Sequence, residues 1–92
     1  MASNDPASEY LIVFARSARR ELERLPPPLG MRILRRIESL TTNPRPRGCR
    51  KLAGSANLWR IRIGDYRVIY GIDDARRMVD VIGVRHRRDA YE

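Results

Sequence analysis

One cysteine, Cys49, and one histidine, His86, in 92 residues rule out an internal disulfide and make a poor metal site, so no metal and no cofactor are expected. Aromatic residues are 7% of the chain, and no apolar run approaches the roughly 20 residues needed to span a bilayer, so no membrane association is expected. The stretch from Met1 to Ser8 is small, polar and acidic, without the basic and then apolar order of a secretory signal. A cytoplasmic location is the expectation. Lysine is nearly missing too: Lys51 is the only one among 19 basic residues, and the rest are arginine. So short a chain has room for a single domain, expected over residues 10–92 behind a flexible segment 1–9. It buries only about 60 to 65% of its unfolded surface, so any site should be a surface groove.

Acidic residues are the other shortage. With 11 of them the net charge is +8 and the isoelectric point about 11.0, which points to a polyanionic partner, although basic residues also serve simply to keep a surface wet. The excess peaks between Asn43 and Ile72, where the net charge is +6, whereas residues 73–92 are neutral overall.

Tyr10 to Phe14 is a short run of β-forming residues and predicts a first strand. From Ser17, read as an N-cap, Ala18, Leu22 and Leu25 recur at helical spacing until Pro26-Pro27-Pro28 stops the helix. A second helix is predicted from about Leu29 to Thr41, with Ile33, Ile37 and Leu40 on one stripe and Arg32, Arg35, Arg36 and Glu38 mostly outward. The helical hairpin needs a sheet to bury its stripe. Asn43 to Gly54 holds two prolines, two glycines and the basic residues Arg45, Arg47, Arg50 and Lys51, and reads as a basic loop. Strands are then predicted at Asn57 to Ile63, Tyr66 to Ile72 and Met78 to Val84, the last apolar on both faces apart from Asp80 and therefore interior. The fold class is α+β, in the order β-α-α-β-β-β, a helical hairpin on four strands.

Gly64-Asp65 is a two-residue turn signal with glycine first, as a type II′ turn requires. Such a loop sets register: Ile63 faces Tyr66, Ile61 faces Val68 and Trp59 faces Tyr70, six bulky residues on the helix side. On the other side Arg62 faces Arg67 and Arg60 faces Ile69. Like charges opposed across a ladder destabilise by a few tenths to about 1 kcal/mol. Either carboxylates such as Asp65 or Asp80 neutralise them, or the face holds phosphates, which guanidinium forks grip bidentately; the second reading is preferred. The closing run from Val84 to Tyr91 adds Arg85, His86, Arg87, Arg88 and Tyr91. In strand phase, Arg85 and Arg87 share a face and His86 takes the other. Tyr91 is either an apolar plug over the sheet edge or an aromatic that stacks on a base of single-stranded RNA.

These residues resemble the RelE/ParE superfamily of bacterial and archaeal toxins, in particular its RelE-like mRNA interferases, over nearly the whole span from Tyr10 to Tyr91. The markers are Tyr10-Leu-Ile-Val-Phe, Asn43-Pro44 behind the helical hairpin, Lys51-Leu52-Ala53-Gly54, Trp59 to Tyr70 as a block, and Val84 to Tyr91. The resemblance implies a twisted, mostly antiparallel sheet that cradles mRNA in the ribosomal A site. It also implies a RelB-like antitoxin that wraps the toxin, which is a monomer alone and part of a hetero-oligomer with that partner. Position by position, Arg60 and Arg62 match basic residues contacting the scissile region, Arg67 the arginine that stabilises the phosphate, Arg87 one that assists the leaving group, and Tyr91 one that stacks on or orients the substrate. Lysines are familiar where Arg60 and Arg62 stand, and the spacing from Arg87 to Tyr91 is shorter than usual.

Metal-independent cleavage requires the 2′-hydroxyl as internal nucleophile, leaving a 2′,3′-cyclic phosphate and a 5′-hydroxyl. Arginine, charged at every physiological pH, is a clamp in such a reaction rather than a base. His86 and Tyr91 are the candidate proton carriers, and Arg62, Arg67 and Arg87 the candidate catalytic clamps. Arg45, Arg47, Arg50, Lys51, Arg60 and Arg85 are the candidate RNA-binding residues. Two other functions fit the same fold: a ParE-like inhibitor of DNA gyrase without RNase activity, expected to lack this full set, and a non-catalytic RNA-binding module.

Overall fold

The computed structural model describes residues 9–89; residues 1–8 and 90–92, and with them Tyr91, lie outside it. Strand β1 (Leu11–Phe14) leads directly into helix α1 (Arg16–Glu23), and helix α2 (Pro27–Glu38) continues into a 3-10 turn at Ser39–Thr41. Then follow β2 (Arg50–Lys51), β3 (Leu58–Ile63), β4 (Tyr66–Asp73), β5 (Met78–His86) and a last 3-10 turn at Arg87–Asp89. No described helix is long and apolar enough to cross a membrane.

The sheet has the order β1-β5-β4-β3-β2, with β1 parallel to β5 and every other pairing antiparallel. β5 is interior, as its apolar faces predict. Five strands rather than the expected four arise because Arg50 and Lys51, assigned to a loop, pair with Arg60 and Trp59. Two residues between Gly48 and Gly54 are too few to show alternation; only the exposed edge of β3 makes them a strand.

The helix ends also differ from expectation. Helix α1 starts one residue before Ser17, with extended Ala15 at the cap position and no side-chain cap hydrogen bond. Pro27 and Pro28 begin α2 instead of merely ending α1, since the first turn of a helix has no use for their missing N–H groups. The apolar stripe falls where the periodicity puts it: Ala18, Ile33, Ile37 and Leu40 are fully buried against Ile61, Val68, Tyr70, Val79 and Val81. The Tyr70 hydroxyl, buried in this core, donates to the Pro44 carbonyl at 2.7 Å and pins the start of the 43–49 loop under the sheet.

The β3–β4 hairpin has the register that a two-residue loop dictates, Ile63 opposite Tyr66 through Trp59 opposite Tyr70. Gly64 has φ +60° whereas Asp65 stays out of the positive-φ region, the backbone pattern of a type II′ turn. Every second residue from Trp59 to Ile63 and from Tyr66 to Tyr70 therefore packs under the helices, and the residues between them form the opposite face.

Candidate functional site

The face of the sheet away from the helices carries arginines in register. Arg62 lies opposite Arg67, and Arg67 lies opposite Arg85, so three adjacent strands contribute one arginine each to a single transverse row. A second like-charge pair, Arg50 opposite Arg60, follows on the same face toward the β2 edge. Ile69, between Arg60 and Gly83 in the ladder, forms an apolar floor. Arg62 and Arg85 are exposed, and Arg60 and Arg67 are half-buried.

Local structure explains how Arg85 reaches its position. A Cβ on Gly83 would come within 3.1 Å of the Arg85 Nε, so a larger residue there would make the guanidinium shift by a few tenths of an ångström. β1 ends at Phe14, and β5 beyond Val81 loses its neighbour on that side. The orphaned Val84 N–H donates to Glu21 Oε1 of α1 at 2.9 Å, and the other carboxylate oxygen lies 3.5 Å from Arg85 Nε. Glu21 thus ends the sheet edge and steadies one end of the row.

At the hairpin tip the Arg87 N–H donates to the Asp65 carbonyl at 2.7 Å, which docks the C-terminal turn on the end of the sheet that holds Arg62 and Arg67. The Arg87 side chain stands 4.0 Å from the Asp65 carboxylate, a pair so exposed that water screens it. Asp80 sits across from Gly71 and Val13, at the other end of the sheet, and neutralises nothing in the row. Arg62 has no ion pair among the described residues.

The remaining candidates divide. Arg50 shares the arginine face, while Lys51, paired with Trp59, takes the side toward the helices. Arg47 is exposed in the loop. Arg45 is held by the Asp74 carboxylate at 2.9 and 3.3 Å, with its guanidinium 5.1 Å over the Trp59 ring, so it is a staple of the fold. Asp74 also accepts from the Tyr10 hydroxyl at 2.6 Å, and these bonds, that from Arg45 foremost, bring its carboxyl down to about 2. The same hydrogen bond to Asp74 raises the Tyr10 hydroxyl above its ordinary range. His86 lies on the face opposite the row: it meets Tyr66 edge-on with ring centres 5.2 Å apart, and its Nδ1 accepts from the Arg88 N–H at 3.2 Å. Tyr91 lies outside the described residues. Sequence reasoning missed Glu21, whose role depends on where β1 stops, and the arginines of α2, whose spacing of three and four residues was the available signal.

Comparison with known proteins gives this geometry its relatives. The family model described as "ParE toxin of type II toxin-antitoxin system, parDE" matches residues 12–91. Toxin RelG of Mycobacterium tuberculosis is 35% identical over 86 residues, which cover 89% of this chain and 95% of that protein. Among solved structures, the toxin–antitoxin complex RelBE2 from Mycobacterium tuberculosis contains a chain similar to this one at TM-score 0.75 and 31% identity, over 85% of this chain and 98% of that one. The archaeal RelE-RelB complex from Pyrococcus horikoshii OT3 gives 0.76 and 29%, over 88% and 98%. A family match spanning most of the sequence, with relatives above 30% identity aligned almost end to end, makes the chain a member of the RelE/ParE superfamily, the toxins of type II toxin–antitoxin systems.

Proposed function

We propose that the protein is an endoribonuclease toxin that cuts mRNA in the ribosomal A site and is held inactive by a RelB-like antitoxin. The observation that carries this reading is the row Arg62, Arg67 and Arg85: three arginines in register across three adjacent strands, on the face the helices leave open. Opposed like charges weaken a ladder, so strand pairing by itself does not favour such a row. A phosphodiester does gain, because forked donors bind its oxygens bidentately and the charge is already in place when the transition state forms. That the similar chains are found in the RelBE2 toxin–antitoxin complex and in a RelE-RelB complex supports an antitoxin partner for this chain.

In this reading the 2′-hydroxyl of the substrate attacks the adjacent phosphorus, the bond to the 5′-oxygen breaks, and a 2′,3′-cyclic phosphate and a 5′-hydroxyl result. Arg62 and Arg67 hold the non-bridging oxygens, Arg85 and Arg60 position the flanking backbone, and Arg87, carried to the row's end by its docking on Asp65, assists the leaving oxygen. Stacking of a base and proton transfer fall to Tyr91. His86 has no part, because it faces Tyr66 on the other side of the sheet. No metal or cofactor enters the scheme.

Purified protein added to translating ribosomes, followed by mapping of the message's 3′ ends, tests the reading. Breaks within the A-site codon are the expected result. Arg67→Ala, with its thermal transition checked, should lower the cleavage rate by about 10²–10³-fold, as the loss of one preorganised donor does. His86→Gln should leave the rate intact and its profile flat between pH 5 and 8. An intact message sinks the proposal, and inhibited gyrase supercoiling in its place would give the protein the ParE-like function.

A further inference from the structure

β2 pairs with Trp59 and Arg60, and the Leu52 N–H donates to the Leu58 carbonyl at 2.8 Å, so among the described residues 61–63, including Arg62, form a free sheet edge. Between this edge and α2 lies an open groove of about 660 Å³, lined by Met31, Arg32, Arg35, Arg36, Arg62 and Gly64 among others. Arg32 spans it: both terminal nitrogens come within 3.8 Å of where a Cβ on Gly64 would stand. Among the described residues, no carboxylate lines the groove. None of Arg32, Arg35, Arg36 and Arg62 has an ion pair among the described residues. Arg32 lies three residues before Arg35 and four before Arg36, spacings at which like charges weaken a helix. Four guanidiniums with an anion-free lining fit a run of phosphates, and Arg62 belongs both to this groove and to the row on the sheet face.

We infer that the groove is a backbone track for the RNA strand as it leaves the arginine row, with Arg62 passing the strand over the β3 edge to Arg32, Arg35 and Arg36. This rests on the RNA reading above and extends it to a longer footprint. A single strand is the occupant, because the path bends from one face of the sheet around its edge to the helix layer. A flexible single strand makes that bend at little cost, whereas a duplex resists bending over such a distance.

The test uses the full chain, a 2′-O-methyl trinucleotide and a 2′-O-methyl strand of about twelve nucleotides, neither of which can be cleaved, with affinities read by fluorescence anisotropy over a range of salt. The variant Arg32→Gln/Arg35→Gln/Arg36→Gln, with its thermal transition checked, changes two exposed side chains of α2 and the half-buried Arg36. It should bind the longer strand about tenfold or more weakly, with a log–log salt slope shallower by about 2, while trinucleotide affinity stays unchanged. An unchanged affinity and slope for the longer strand overturns the inference, as does an equal loss for both lengths, which would mean general attraction and no track. Preference for a duplex of the same length overturns the choice of occupant. A-site cleavage is read separately, so an active toxin whose triple variant binds normally loses the track and keeps its function. A wild type that binds neither strand and cuts no message loses both.

Discussion

At the scale of single residues, the availability of an arginine depends on whether a carboxylate has been brought to it. Arg45 and Arg62 read alike in the sequence, two basic residues in the most positive stretch. Arg45 is tied to Asp74, 29 positions away, and Arg62 has no ion pair among the described residues. The Asp74 pair also has a pH signature. Its carboxyl sits at about 2 in the folded protein against an ordinary 3.8, so its contribution to stability is complete above the unfolded value and is lost as pH falls through about 2. A carbon-detected titration should place the Asp74 midpoint near 2. Asp74→Asn should lower the melting temperature at pH 5 and above, and the difference from wild type should close as pH approaches 2. A midpoint at the ordinary value would mean that the contacts with Arg45 and Tyr10 are not kept in solution.

At the scale of elements, local patterns placed the strands and the core stripe, but misplaced the helix starts: Ser17 does not cap α1, and α2 begins at Pro27 rather than Leu29. Alternation and a two-residue loop placed Arg62 opposite Arg67 by counting alone, and the helical stripe named Ile33, Ile37 and Leu40 as core. β2 escaped because its two residues become a strand only against β3. Glu21 escaped because its task arises where β1 stops short and leaves the Val84 N–H without a strand partner. Glu21→Ala should therefore cost about 1–3 kcal/mol in urea unfolding, the penalty for an unsatisfied buried amide. Glu21→Gln, which keeps an acceptor oxygen, should recover most of it. Equal losses for the two variants would show that the carboxylate's charge, opposite Arg85, matters more than its hydrogen bond.

For the whole molecule, a charge of +8 on a small body makes the proposed association with RNA a matter of ionic strength. A strand short enough to engage only the row and Arg60, meeting about four phosphates, should give a log–log salt slope near −2.8, and a slope near zero would remove the electrostatic basis of the site. The sign and amount of this charge, the pairing of the hairpin and the make-up of the core all follow from order along the chain, because they depend on neighbours a few residues apart. Which arginines are tied to carboxylates and where α2 meets the free edge of β3 depend on segments that meet only after folding. Arg45 finds Asp74, Glu21 finds Val84, and Arg32 comes to lie over Gly64 through the packing of helices on a sheet, contacts over distances along the chain at which local periodicity carries no information.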